Sequence, residues 1–304
     1  MYNRIVVGLT TIPSRVKYLM PIVRNMQSQT LLPTVIYISV PEKSAKASEN
    51  GATYPIDEMK KTFAGLAQVN VVDKDYGPLT KLMGMLLVEP KNKGTLLITI
   101  DDDQIYDKTF IENIVEGASE HYMEAVGFCG HIIGKWPFVW GFRCSRADSN
   151  PVTNLLYLTP GSKVNILSGW CGCAYPRDVF PDKPFHNKQF EKELFRNDDL
   201  YISCWLNELK IPKRVIAYRN EHVDIEYDYA KEGALSSGDA KRTLTTMTTH
   251  AMDWFTLSKK LQSAGLLESD ISVEPHKSTV FVAGVCLTVT TLLVFYGAYK
   301  ILKK

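Results

Sequence analysis

Short apolar runs rich in β-branched residues alternate with stretches of helical spacing through the first 125 residues. "IVVGLTTI" (5–12) is the first such run, and the Pro13 and Ser14 that follow make it read as strand, turn and helix. The helical pattern from Val16 to Met26 carries Pro21, which predicts a break or bend there. "TVIYISVP" (34–41) reads as a second buried strand, residues 42–60 as a polar loop around Gly51 and Pro55, and "QVNVVDKDYGP" (68–78) as a third strand running into Asp73, Asp75, Gly77 and Pro78. A short helix, "LTKLMGMLLV" (79–88), precedes a fourth strand, "TLLITI" (95–100), whose unbroken apolar character suits burial on both faces. Phe110, Ile111, Ile114, Val115 and Ala118 then recur at helical spacing.

This alternation predicts an α/β fold with a mostly parallel central sheet and a Rossmann-like N-terminal half, which places ligands outside the carboxyl ends of the strands. The loops at that edge are "TTIPSR", "SVPEK", "DKDYGPLTK" and "DDDQIYD". After residue 126 the pattern is less regular. Short apolar and aromatic pieces ("VGFCGHIIG", "KWPFVWGFRC", "VNILSGWCGCAYP") precede an acidic helix start, "RNDDLYISCWLNELK" (196–210), a strand "RVIAYRN", the tripeptide "EHV" and a helical stretch at 243–262. The layout expected is one domain over 1–265, with a regular N-terminal half (1–125) and a less regular C-terminal half (126–265), then a linker (266–278).

Residues 279–299, "TVFVAGVCLTVTTLLVFYGAY", carry no charge and are long enough, at about 1.5 Å per residue, to cross a hydrocarbon layer of about 30 Å. His276 and Lys277 flank one side and Lys300, Lys303 and Lys304 the other. With no signal peptide in "MYNRIVVGLTTIPSR", the expectation is a single-pass, tail-anchored membrane protein whose globular part faces the cytosol. The absence of any Asn-x-Ser/Thr sequon agrees with that placement. A formal net charge of +2 over 304 residues, with acids and bases interleaved, argues against nucleic acid as a partner. The six cysteines lack C-x-x-C spacing, so reduced thiols are expected.

The chemistry concentrates at the end of the fourth strand. Asp101, Asp102 and Asp103 repel one another when ionised, and a divalent cation relieves that cost. Alternate residues of an extended segment point the same way, so Asp101 and Asp103 share a face and Asp102 turns elsewhere. Oxygen ligands suit Mg²⁺ or Mn²⁺, with water and substrate phosphates completing the shell. The competing reading is an Asp-rich loop end that caps the following helix. Lys81, after a Gly-Pro turn, offers an ammonium and nearby backbone N–H groups to a diphosphate, or is an ordinary solvated lysine.

The order of these features resembles the nucleotide-sugar-dependent glycosyltransferases of the GT-A fold. "DDD" (101–103), "SGWCGC" (168–173), "NDD" (197–199) and "EHV" with His222 stand in that family's order, across roughly residues 3–225. "LTTIPSR", "DYGPLTKL" and "IDDDQIY" are also similar to segments of bacterial and large algal virus glycosyltransferases. The resemblance implies a metal-dependent transfer of a sugar from a UDP- or GDP-sugar to a glycan or lipid-linked acceptor. It implies Asp103 as principal metal ligand, Asp101 at the ribose or the metal, and His222 as a late ligand, with His250 the alternative. Thr10, Thr11, Arg15, Ser39, Pro41, Asp75, Lys81, Asp101 and Asp102 would form the donor-binding set. Asp199, or else Asp198, would be the base that deprotonates the acceptor; helix capping is the other reading of "NDD", compatible with the first. Gly169 and Gly172 would let backbone approach donor or acceptor. Trp136, Phe138, Trp140, Phe142 and Trp170 would stack on acceptor sugars or, at their spacing, form a strand face. A nucleotidyl- or phosphoryltransferase also needs a strand-end D-x-D and a divalent ion, though no Gly-rich phosphate loop is present. A binding module without catalysis is the remaining alternative.

Overall fold

The computed structural model describes residues 2–45, 51–133, 158, 160–182, 185–195, 197–217 and 256–268. Its strands are β1 (Arg4–Leu9), β2 (Val35–Pro41), β3 (Gln68–Val72), β4 (Thr95–Thr99), β5 (Ala125–Gly127), β6 (Gly130–His131), β7 (Ile166–Leu167), β8 (Cys173–Pro176) and β9 (Lys213–Val215). Seven of them form one sheet in the order β3-β2-β1-β4-β8-β5-β9, and β6 pairs with β7 separately. The pairs β1–β2, β2–β3, β1–β4 and β5–β9 are parallel, and only β8 runs against its neighbours β4 and β5. The mostly parallel α/β sheet expected from the sequence is present.

The helices are α1 (Leu19–Gln27), α2 (Ile56–Thr62), α3 (Thr80–Val88), α4 (Phe110–Glu120), α5 (Glu191–Leu194) and α6 (Asp198–Glu208). They cover both faces of the sheet, and the period of two along each strand sorts the core. Val7, Leu9, Ile36, Ile38, Ile98 and Ile100 pack with Leu19, Ile22 and Met26 of α1 and Ile111 and Ile114 of α4. Val6, Tyr37 and Leu97 face the other way, toward Leu82 and Met85 of α3 and Leu200 and Trp205 of α6. A strand covered twice must be apolar at every position, which is why "TLLIT" shows no alternation.

Three local differences from the sequence reading have simple causes. The segment after β1 divides into a 3-10 turn, Pro13–Tyr18, and α1, so the break falls at Leu19 rather than at Pro21. Pro21 lies in the first turn of α1, where its missing N–H has no intrahelical acceptor to serve. Ser39, expected among the donor-binding residues, lies inside β2 and is fully buried against Gly84 of α3. Cys129 and Cys171, expected as reduced thiols, are joined in a disulfide with Cα atoms 6.0 Å apart, while Cys173 and Cys204 are free and buried. Sequence spacing hid that pair, because 42 residues separate two positions that the β5–β6 link and the turn before β8 bring together.

Gly84 marks the closest approach of α3 to β2. A Cβ there would lie 2.0 Å from the Ser39 hydroxyl oxygen. Gly84→Ala is therefore expected to cost about 1–3 kcal/mol by overpacking despite alanine's better helix propensity, read as a lower urea midpoint at unchanged m-value.

Residues 256–268 include a helix at 256–263 and pack on the α3/α6 face through Leu261 and Leu267. The Asn165 amide donates to the Glu268 carbonyl (2.8 Å). Residues 266–268, assigned to a linker by their composition, thus belong to the packed domain. Among the described residues no helix is long and apolar enough to cross a membrane. The predicted span at 279–299, His222, His250 and the aromatic run Trp136–Phe142 lie outside the described residues.

Candidate functional site

Strands β1 and β4 are adjacent and parallel, so the segments leaving them meet at one edge of the sheet. Three features converge there: Thr11 and Arg15 after β1, Asp101–Asp103 after β4, and the start of α6 with Asp198 and Asp199. Asp102 turns inward, accepting from the Thr11 hydroxyl (2.6 Å) and pairing with Arg15 (3.0 Å). Asp101 and Asp103 keep more of their side-chain surface, 29% and 24% against 11% for Asp102. Arg15 also reaches Asp103 at 3.2 Å.

Lys81 is the second internal cation. Its ammonium lies 2.6 Å from Asp101 and 2.8 Å from Asp198, tying the end of β4 to the start of α6. Burial by itself lowers a lysine pKa, but the two carboxylates outweigh it, and the pKa lies well above the ordinary value. Lys81 is neither a surface lysine nor an open anion hook.

Asp199 accepts the Gly169 backbone N–H at 2.8 Å. Burial, and after it the Asp198 charge, push its carboxyl well above the usual range, against Lys81 and the Gly169 N–H. Neither acid caps α6: Asn197 holds the cap position, and no side-chain cap bond is made. The "NDD" acids face the site. Asp102 is pushed up to about 6, by burial first, against Arg15 and Thr11. Asp103 is also raised, by burial and then by Asp101.

The turn Ser168–Gly172 is the floor under Asp199. Its Gly169–Cys171 segment is a 3-10 turn, closed by Gly172 N–H donating to the Gly169 carbonyl (2.8 Å). A Cβ on Gly169 would sit 3.0 Å from Asp199 Oδ1. Gly172 has φ +91°, and a Cβ there would lie 2.4 Å from the Phe110 ring, so glycine is required on both counts.

Tyr106 was not singled out by the sequence, although it lies within "DDDQIYD". Its buried hydroxyl accepts the Asp101 N–H (3.0 Å) and donates to the Trp170 carbonyl (3.4 Å), linking the aspartate loop to the turn. The signal available was a tyrosine five residues after Asp101, within the aspartate-rich loop "DDDQIYD". Tyr54 is the other omission, donating to the Thr11 carbonyl at 2.9 Å.

The remaining predicted donor-binding residues are distributed around this core. Thr10 is half-buried at the end of β1, and Pro41 is the buried last residue of β2. Ser39 presents no surface to a ligand in this arrangement. Asp75 holds its own loop, accepting the Gly77 N–H and the Ala45 N–H, each at 2.7 Å. Trp170 is half-buried against the core, and Cys171 is committed to the disulfide rather than to a metal.

Among the described residues no group of three or more His, Cys, Asp or Glu side chains is gathered as a metal cluster. Asp101 and Asp103 nevertheless supply two partly open, hard oxygen donors, and among the described residues the cations beside the five carboxylates Asp101, Asp102, Asp103, Asp198 and Asp199 are Lys81 and Arg15. That donor set suits a magnesium- or manganese-like ion that keeps water and phosphate in its shell.

No protein-family model and no curated protein matches this chain. Among solved structures, residues 1–349 of S. aureus TarS are similar at 11% identity over 72% of this chain and 59% of that one, with TM-score 0.40. The same TarS fragment in complex with UDP gives 11% identity, the same coverage and TM-score 0.38. The Francisella tularensis 2-C-methyl-D-erythritol 4-phosphate cytidylyltransferase (IspD) gives 9% identity over 75% of this chain and 95% of that one, with TM-score 0.41. This chain thus spans 59% of the TarS structure. Likenesses this slight carry no argument about activity.

Proposed function

We propose that this chain is a metal-dependent glycosyltransferase with a GT-A-like domain, moving a sugar from a UDP- or GDP-sugar to the hydroxyl of a glycan or lipid-linked acceptor. One observation carries the reading. The strand-end aspartates and the "NDD" acids, almost a hundred residues apart in sequence, meet at the carboxyl edge of the parallel sheet through Lys81.

On this reading Asp103 and Asp101 hold Mn²⁺ or Mg²⁺, with His222 or His250 as a further ligand. When bound, the ion neutralises the charge that grows on the departing diphosphate. Arg15 holds Asp102 and restrains Asp103, which fixes where the metal-facing oxygens point. Lys81 ties Asp101 to Asp198 and brings positive charge to the diphosphate side of the site. Asp199, seated on the Gly169 N–H, accepts the acceptor's hydroxyl proton as that oxygen attacks. A base with a raised pKa holds the proton better once transferred, and a buried one loses none of its strength to solvation by water. The predicted C-terminal span would hold the domain at a membrane surface, near lipid-linked acceptors.

The test is a thermal-shift panel on the full-length chain, with UDP, GDP and their sugars, each with and without Mn²⁺. Binding to the native state raises Tm by mass action. The expected result is stabilisation by one nucleotide series, enlarged by Mn²⁺ and lost in Asp103→Ala. No shift with any nucleotide sugar in the presence of Mn²⁺ contradicts the donor site.

A further inference from the structure

Every described contact of the Ser168–Gly172 turn is a tether, and one of them is covalent. Ser168 N–H donates to the Cys129 carbonyl (3.0 Å), and the Ser168 hydroxyl meets His131 Nε2 at 2.7 Å. Burial pushes the His131 ring down to about 4, so it is neutral at pH 7. Trp170 is held through its carbonyl by Tyr106, and Cys171 is bonded to Cys129 on the β5–β6 link. The free end of this arrangement is the Gly169 N–H, two residues from Cys171, which carries Asp199.

We propose that the Cys129–Cys171 disulfide is a positioning element for Asp199, acting through the Gly169 N–H, so that the site is competent in the oxidised chain and impaired in the reduced one. The proposal rests on the reading of Asp199 as the base. The geometry is specific: the bond anchors the turn at one end, and the amide that seats Asp199 is at the other. Without the bond, the turn is left with weaker tethers, among them hydrogen bonds to the β5–β6 link, to His131, to Tyr106 and from the Cys173 thiol to the Ser168 carbonyl, and the Gly169 N–H is held less firmly at 2.8 Å from the carboxylate.

The electrostatic consequence has a definite sign. Asp199 is faced by Asp198 from its own helix, by Lys81 of α3, by Asp101 after β4 and by the Cys173 thiol of β8. Of the groups that favour its ionised form, the Gly169 N–H is the one the turn supplies. Loosening it raises the Asp199 pKa further and leaves Lys81 with its own partners. The redox step is balanced: a dithiol such as dithiothreitol attacks the disulfide, gives up two electrons and two protons, leaves as its cyclic disulfide, and releases Cys129 and Cys171 as thiols.

The experiment compares the full-length chain as isolated without reductant, after dithiothreitol, and after reoxidation with oxidised glutathione, alongside Cys129→Ser/Cys171→Ser. Peptide mapping is expected to recover Cys129 and Cys171 cross-linked before reduction and separate after it. Reduction is expected to move the rising, acid-side limb of the kcat–pH profile up by about one unit, with about a tenfold loss of kcat at neutral pH, unchanged donor KM, and recovery on reoxidation. A readout without turnover is the pH dependence of the Tm difference between the unsubstituted chain and Asp199→Asn, whose midpoint is expected to move up on reduction. That readout and the peptide map stand even if no nucleotide sugar is turned over, which separates this proposal from the glycosyltransferase reading. Free thiols at Cys129 and Cys171 in the chain as isolated, an unmoved midpoint after complete reduction, or global unfolding on reduction would each overturn it.

Discussion

Asp199→Asn is expected to fold and to lose roughly 10²–10⁴-fold in kcat, the usual worth of a positioned base. The amide oxygen of asparagine still accepts the Gly169 N–H, so the seat survives while the proton acceptor is lost. Two pH dependences accompany the loss. In the unsubstituted chain kcat rises with pH, because the ionised form of a carboxyl with a raised pKa is the competent one, and the limb lies above the ordinary carboxylate value of about 4. Stability moves the opposite way. A folded pKa above the unfolded one means that Asp199 contributes fully below the unfolded value, and that this contribution is lost as pH rises through the folded value. Asparagine does not titrate, so the Tm of Asp199→Asn should gain on the unsubstituted chain as pH rises across that window. Parallel Tm curves would show that Asp199 is not the raised group, and an unreduced kcat would remove it from the chemistry.

Lys81→Met is expected to be the most destabilising single change at the site, by about 3–5 kcal/mol at neutral pH. It strips the shared partner from Asp101 and Asp198 and leaves their negative charges facing each other, with Asp199 close by. Methionine fills most of the lysine's volume, so the loss is electrostatic rather than a cavity effect. A second substitution, Asp198→Asn, should recover part of the penalty by removing one of the two facing charges. Urea unfolding of the three proteins measures this. A penalty that Asp198→Asn leaves unrelieved would instead mark a packing role for Lys81.

Much of the N-terminal half was legible because its strands are covered on both faces. A short, β-branched apolar run such as "TLLITI", set between a glycine and an acidic loop, reads as a strand buried on both faces, and the edge where Asp101–Asp103 emerge follows from the direction of the strands. The distinction between Asp102 and its neighbours was also visible, since extended backbone alternates its side chains. Its consequence differs from the sequence expectation, however. Asp102 is buried against Arg15 and Thr11, so Asp102→Ala is expected to lower stability before it tests chemistry.

The partners of Lys81 were not legible, because an ion pair between α3, the β4 end and α6 depends on how far apart the layers sit. Neither was the disulfide, whose cysteines are related by the β5–β6 link and not by spacing. The burial of Ser39 was not legible either: the end of β2 at Pro41 was read correctly, but whether a side chain inside the strand meets a ligand or the helix layer is decided by tertiary packing, here the close approach of Gly84.

The central claim is tested most directly by the fate of phosphorus when the full-length chain is incubated with UDP- or GDP-sugars and Mn²⁺ and followed by ³¹P NMR. The account predicts release of the nucleoside diphosphate, with the sugar passed to an acceptor or to water, and no release from Asp103→Ala. Release of inorganic pyrophosphate in a matching assay with nucleoside triphosphate and a sugar phosphate would mark a nucleotidyltransferase and contradict it. So would binding of the donor without any cleavage.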